Sequence, residues 1–278
     1  MRASDFSFVV FLALLGVHIW LRDPGWQTRA PDTWPILAGI PLFIWLGWPW
    51  TFAEAKSQTF PTRALIVAGV LYLVGLLSNL TMLLALAWTL GLRAWLIPRT
   101  VAGRDARHAT KLLLLPFFSF PWLSTDLNSL GWAFRLSGAA VVENLFSALQ
   151  YDVVREGTFL WVQGKLMSIE AACSGLNGLQ SILIAGTTLA YLKLGASPYF
   201  WWNIPLLVAA AWLANTFRIV ILAFGVTGGR LDAQNDFLHG VAGWASLCLA
   251  FGLCWLAFAL QEARGRTPWT ELARQQDG

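Results

Sequence analysis

Apolar runs recur along this chain at lengths that a lipid bilayer demands. Residues 6–21, 34–50, 64–78 and 80–97, and later 171–194, 198–226 and 237–260, are each near the ~17–25 residues of a helix that crosses a hydrocarbon core, 64–78 being the shortest. A chain that is 57% hydrophobic and 12% charged, with a mean hydropathy of +0.58, is excluded from the ordinary soluble domains. The expected fold class is an all-α polytopic membrane protein with about eight transmembrane helices and a short strand-like segment before one of the last three. Many of the 17 Trp stand beside Pro or at the ends of apolar runs, where amphipathic rings settle at the membrane surface.

Charge then orients the chain. The linkers after the first three runs are too short to hold a soluble domain. Arg93, Arg99, Arg104, Arg107 and Lys111 form the densest basic cluster, which the positive-inside rule assigns to the cytoplasm. His108 in that loop reads as a solvated residue. A pI near 9.2 does not point to nucleic acid, because the basic residues are scattered between apolar runs. Residues 111–123 carry Pro116 and Pro121 and read as a kinked or tilted span. In 126–150 the apolar residues Leu127, Leu130, Phe134, Val141, Leu145 and Leu149 leave Asn128, Arg135, Glu143 and Asn144 elsewhere on the wheel, the pattern of an amphipathic helix lying in the interface. The charges fit best if only one of these two segments crosses. Both chain ends then face the cytoplasm. The first apolar run lacks a small-residue cleavage site and reads as a retained span.

Three residues stand out against this background. Cys173, in the stretch EAACSGLNGLQ, lies where a polar segment gives way to a long apolar one, crowded by Ala171, Ala172, Ser174 and Gly175. A helix N-terminus favours thiolate over thiol, so the cysteine is a candidate nucleophile; alone, it is more often a small packing residue. The preceding YDVVREGTFLWVQGKLMSIE, broken at Glu156-Gly157 and Gln163-Gly164, reads as small strands and turns. Arg218 lies inside an apolar run, where an arginine costs roughly 2.5–3.5 kcal/mol and usually has a partner or a task, snorkelling being the simpler alternative. Asn215, three residues earlier, adds a polar group to the same face. His239 opens the last apolar run; taken singly it is an interfacial hydrogen-bonder.

Alternation from the basic loop puts Cys173, Arg218 and His239 at the outer face together. A thiol, a cation for an oxyanion and a general base are what acyl transfer from a peptide bond requires. Asp236 sits three residues before His239, where it can cap the helix or orient the imidazole. Glu170 reads as a residue that stabilises a helix start. Cys248 and Cys254 lie about 14 and 22 Å further along the last helix than His239, too deep to bridge Cys173. His18 reads as interfacial. Three Cys and three His without zinc-type spacing give no expectation of a metal or cofactor.

Ala172-Cys173-Ser174-Gly175-Leu176, Asn215-Thr216-Phe217-Arg218, and His239 followed by Gly240 and Gly243, in this order on successive spans, resemble the Cys, Arg, His arrangement of the exosortase/archaeosortase family of membrane-embedded transpeptidases. The resemblance runs from about residue 111 to 260; the first four spans share only their hydrophobicity. It implies a cysteine protease or transpeptidase that cleaves the C-terminal sorting signal, Pro-Glu-Pro-like (PEP-CTERM), of exported proteins and transfers them to an acceptor. Cys173, Arg218 and His239 would be catalytic, with Ser174, Asn215 and Asp236 supporting. The implied partners are proteins ending in that signal, a transmembrane helix and a basic tail, together with membrane lipid and a glycan or lipid acceptor. The implied location is the cell (inner) membrane, multi-pass, with the site on the outer, periplasmic side. Three regions are expected: 1–98 with four spans, 99–260 carrying the catalytic elements, and 261–278 as a cytoplasmic tail. The alternatives are a transporter that binds an anion at Arg218, disfavoured by the lack of an inverted repeat, and a non-catalytic partner in polysaccharide export.

Overall fold

The computed structural model describes residues 3–23, 25–26, 31–50, 61–99, 104–169, 176–227 and 236–265. They are mostly helical, and the chain divides into two compact units, Met1–Ser129 and Leu130–Gly278.

In the first unit, α1 (Ala3–Arg22) and α4 (Thr81–Leu96) run antiparallel. Trp88 donates its indole N–H to the Leu12 carbonyl at 2.7 Å, and Arg99 pairs with Asp5 at 2.5 Å. Between these helices α3 (Thr62–Ser78) turns directly into α4 through Asn79, whose φ of 60° is the left-handed conformation that ends many helices. Residues 34–50 do not form one helix. A 3-10 segment, Pro31–Ala38, with Pro35 inside it, gives way to the short α2 (Gly39–Leu46). The stretch read as a cytoplasmic loop is helical from Arg104: α5 (Arg104–Leu112) is followed by α6 (Leu114–Phe118) and α7 (Trp122–Asp126). Residues 111–123 are therefore a broken chain of short helices. His108 lies on α5, half-buried and with a contact of its own, rather than in a solvated loop.

In the second unit, α8 (Asn128–Ala148) leads into a three-stranded antiparallel meander, β1 (Val153–Glu156), β2 (Phe159–Val162) and β3 (Lys165–Ser168). Both hairpins have two-residue loops, since Glu156 pairs with Phe159 and Val162 with Lys165. The turns fall where the sequence marks them. Gly157 (φ 64°) opens the first, and Gln163 (φ 50°) and Gly164 (φ 74°) make the second, the doubly positive pair of a type I′ turn. Leu160, Val162 and Met167 turn inward onto Ala139, Val142 and Phe146 of α8 and onto the helix that carries Arg218. Along α8 the residues that bury are Phe134, Ala139, Val142 and Phe146, whereas Val141, Leu145 and Leu149 of the expected apolar face are exposed. Small residues decide this. Gly138 and Ala139 let a neighbouring backbone come close, and bulky apolar residues can face lipid at no cost.

The remaining helices are α9 (Leu176–Leu194), α10 (Asn203–Thr227) and α11 (Asp236–Gly265), which pack on one another. Four helical stretches among the described residues are long and apolar enough to cross a membrane: Asp5–Arg22, Thr81–Arg99, Tyr199–Gly225 and Gly240–Arg264. Pro35–Leu46 and Thr62–Ser78 are apolar but shorter. Helix α9 is not among the four, because it spends positions on polar residues; Gln180 and Thr187 are both buried in the unit.

Candidate active site

Arg218 sits on α10 seven residues before the end of its apolar stretch at Gly225, about 10 Å below that end at 1.5 Å per residue. Its side chain is half-buried, and its Nε is buried without a hydrogen-bond partner. Two neighbours share that condition. Asn215 and Thr216, only 5% and 6% exposed, have an Nδ2 and an Oγ1 with no partner. Buried polar groups in folded proteins are nearly always bonded, so the bare donors on this turn of α10 call for acceptors, Thr216 on the side of Gly138 and Arg218 on the side of Gly243.

Helix α11 makes room for the guanidinium. A Cβ built on Gly243 would stand 4.0 Å from Arg218 Cζ, so the surface facing the cation there is backbone. His239 lies four residues, one turn, before Gly243 on the same face. It immediately precedes the apolar stretch Gly240–Arg264, and Asp236 is the first residue of the helix. Cys173 and Ser174 lie outside the described residues. The elements that flank them are described: β3 ends at Ser168, Ile169 is buried with its N–H bonded to the Thr158 carbonyl at 3.1 Å, and α9 begins at Leu176.

Contacts along the three helices fix which ends meet. Gly186 of α9 faces Leu207 of α10, and Gln261 of α11 donates to Asn203 of α10 at 2.9 Å. Lys193 of α9 reaches Glu262 of α11 at 3.5 Å and lies over the Trp255 ring at 5.4 Å. Thus α9 and α11 run parallel to each other and antiparallel to α10. The start of α9, the C-terminal half of α10 with Arg218, and the first turn of α11 with His239 are at one end of the group. The meander is there too, packed on Ile219, Leu222 and Ala223.

A family model for transmembrane exosortases matches residues 2–256. The chain belongs to the transmembrane exosortase family. The match extends through the N-terminal helices, where the sequence offers only hydrophobicity as a likeness. Neither the comparison with curated proteins nor that with solved structures found a match. As an exosortase the chain is a membrane protein of a transpeptidase family whose substrates are proteins with sorting signals. Two polar residues of this exosortase region carry no role in the sequence reading: Thr216, embedded in the Asn215–Arg218 motif, and Arg135 on α8. Arg135 left no signal in the sequence, because a helical wheel of mixed polarity assigns its charge to the solvent side.

Proposed function

We propose that this exosortase is a membrane-embedded cysteine transpeptidase that cleaves the C-terminal, Pro-Glu-Pro-like sorting signal of exported proteins and passes them to an acceptor. The observation that carries the reading is Arg218: an arginine within an apolar stretch, its Nε bare, held against the glycine one turn from His239. Cys173 gives its proton to His239 and attacks the carbonyl carbon beside the signal. The negative charge that collects on the carbonyl oxygen is held by Arg218, with Asn215 adding a neutral donor. Collapse of this intermediate expels the amine of the signal segment, which takes the proton from His239. A thioacyl enzyme remains. An amine or hydroxyl of a lipid or glycan, or water, attacks it, loses its proton to His239 and restores the thiol. Asp236 caps the start of α11 or orients the His239 imidazole, and Ser174 supports the nucleophile.

The membrane placement belongs to the same proposal: about eight crossings of the cell (inner) membrane, with the site on the periplasmic side. Residues 1–98 supply the N-terminal spans, 99–260 the catalytic elements and 261–278 a cytoplasmic tail. A client ending in a Pro-Glu-Pro-type signal, an apolar helix and a basic tail, co-expressed with the wild type, is expected to lose its tail, and to keep it with Cys173→Ala. Equal cutting by both proteins would remove the thiol from the chemistry. Mass analysis of the new C-terminus identifies the acceptor.

A further inference from the structure

Arg135 has no part in the chemistry above, yet it occupies a core-facing position. On α8 it lies on the stripe of Ala139, Val142 and Phe146, at i+4, i+7 and i+11, all of them fully buried against α10 and the meander. Its Nε is buried without a hydrogen-bond partner, and no ion pair to it occurs among the described residues. Glu143, two turns further along α8, is engaged by Arg155 at 2.6 Å.

The level of Arg135 on α10 follows from its neighbours. Trp212 donates its indole N–H to Ser137 Oγ at 2.9 Å, and a Cβ on Gly138 would stand 3.7 Å from Thr216 Oγ1 and 2.7 Å from Ile219 Cδ1. Arg135 is one turn before that crossing point, and Arg218 lies between Thr216 and Ile219. Along the axis Arg135 therefore lies within about one helical turn, ~5 Å, of Asn215, Thr216 and Arg218; Thr216 is on the face turned to α8, and Arg218 is turned toward Gly243 of α11. A guanidinium whose Nε is buried in a medium of low dielectric is costly unless an anion pairs with it. Nothing among the described residues supplies it.

We propose that Arg135 is a specificity-determining residue of this exosortase: with Thr216 it binds a carboxylate of the protein substrate next to the cleavage point. The inference rests on the function proposed above. A substrate whose scissile carbonyl lies at Arg218 runs past the α8–α10 crossing as extended chain, at about 3.3 Å per residue. A side chain one to three residues from the cleaved bond then spans the one-turn axial offset between Arg218 and Arg135. The guanidinium fork matches a carboxylate in two parallel bonds, which a lysine ammonium cannot reproduce.

The test is binding without turnover. Full-length Cys173→Ala protein in nanodiscs is titrated with two synthetic peptides, Pro-Glu-Pro or Pro-Gln-Pro followed by a Leu/Ala helix and an Arg-rich tail. The parent is expected to prefer the glutamate peptide about tenfold or more. Arg135→Gln should bring that ratio close to one, Arg135→Lys should leave it intermediate, and Thr216→Val, which keeps size and helix, should lower it severalfold. No preference in the parent, a ratio unchanged by Arg135→Gln, or equal weakening of both peptides would overturn the proposal. Loss of co-purifying phospholipid from Arg135→Gln with the peptide ratio intact would also overturn it, and would assign the site to a lipid phosphate. Because the readout is binding, a thiol that proved idle in the cleavage assay would leave this result standing.

Discussion

At the scale of single residues, a few polar side chains tie distant parts of this chain together. Asp126 accepts the Met82 N–H at 2.6 Å across 44 residues of sequence, so the first turn of α4 is capped by a carboxylate from α7. Asp126→Ala is expected to cost ~1–2 kcal/mol, read as a lower thermal midpoint in detergent, while Asp126→Asn, which keeps an acceptor, should cost less. Gly39 plays the opposite part: a Cβ there would stand 2.6 Å from the Leu115 carbonyl oxygen, which cannot move without its helix. Gly39→Ala should destabilise by about 1–3 kcal/mol in the same assay. The sequence made Arg218 legible because an arginine far inside an apolar run has few explanations. Arg135 was not legible, since in a segment of mixed polarity a wheel assigns every charge to the solvent side. Only the packing of Gly138 against Thr216 and Ile219 reveals that it faces the core.

Among the elements, the meander was the most legible and α8 the least. The strands were readable because Gly157, Gln163 and Gly164 mark both turns and their positive φ angles leave little choice of loop. A Cβ at either glycine would meet nothing within 4 Å, so a substitution is felt only through the backbone. Gly164→Ala should therefore cost ~1–2 kcal/mol without any steric clash, seen as faster amide exchange across residues 153–168. On α8 the contact face followed the small residues rather than the large ones. A hydrophobic wheel cannot detect this, because it weights by hydrophobicity what helix packing in lipid decides by size. The same limit applies to α9, whose polar residues Gln180 and Thr187 turn inward to its partners.

For the whole molecule, the prediction that carries furthest concerns topology. Labels placed at 99–111 are expected to react from the cytoplasm and labels at 227–236 from the outside; the same side for both would invert the proposed site. The count of crossings was hard to read because prolines interrupt apolar stretches at 34–50 and 111–123, and composition alone does not separate one bent span from several short helices. What the architecture does settle is how the chain on either side of Cys173 is held. Ile169 is locked under the meander and Leu176 begins α9, so six residues of sequence, 170–175, join two held points. On the proposed chemistry the thiol is a reagent carried between two anchors, and the spacing of those anchors along the sequence governs how often it meets the scissile bond. Doubling the connection with Gly-Ser residues should lower turnover about threefold and leave the thermal midpoint unchanged.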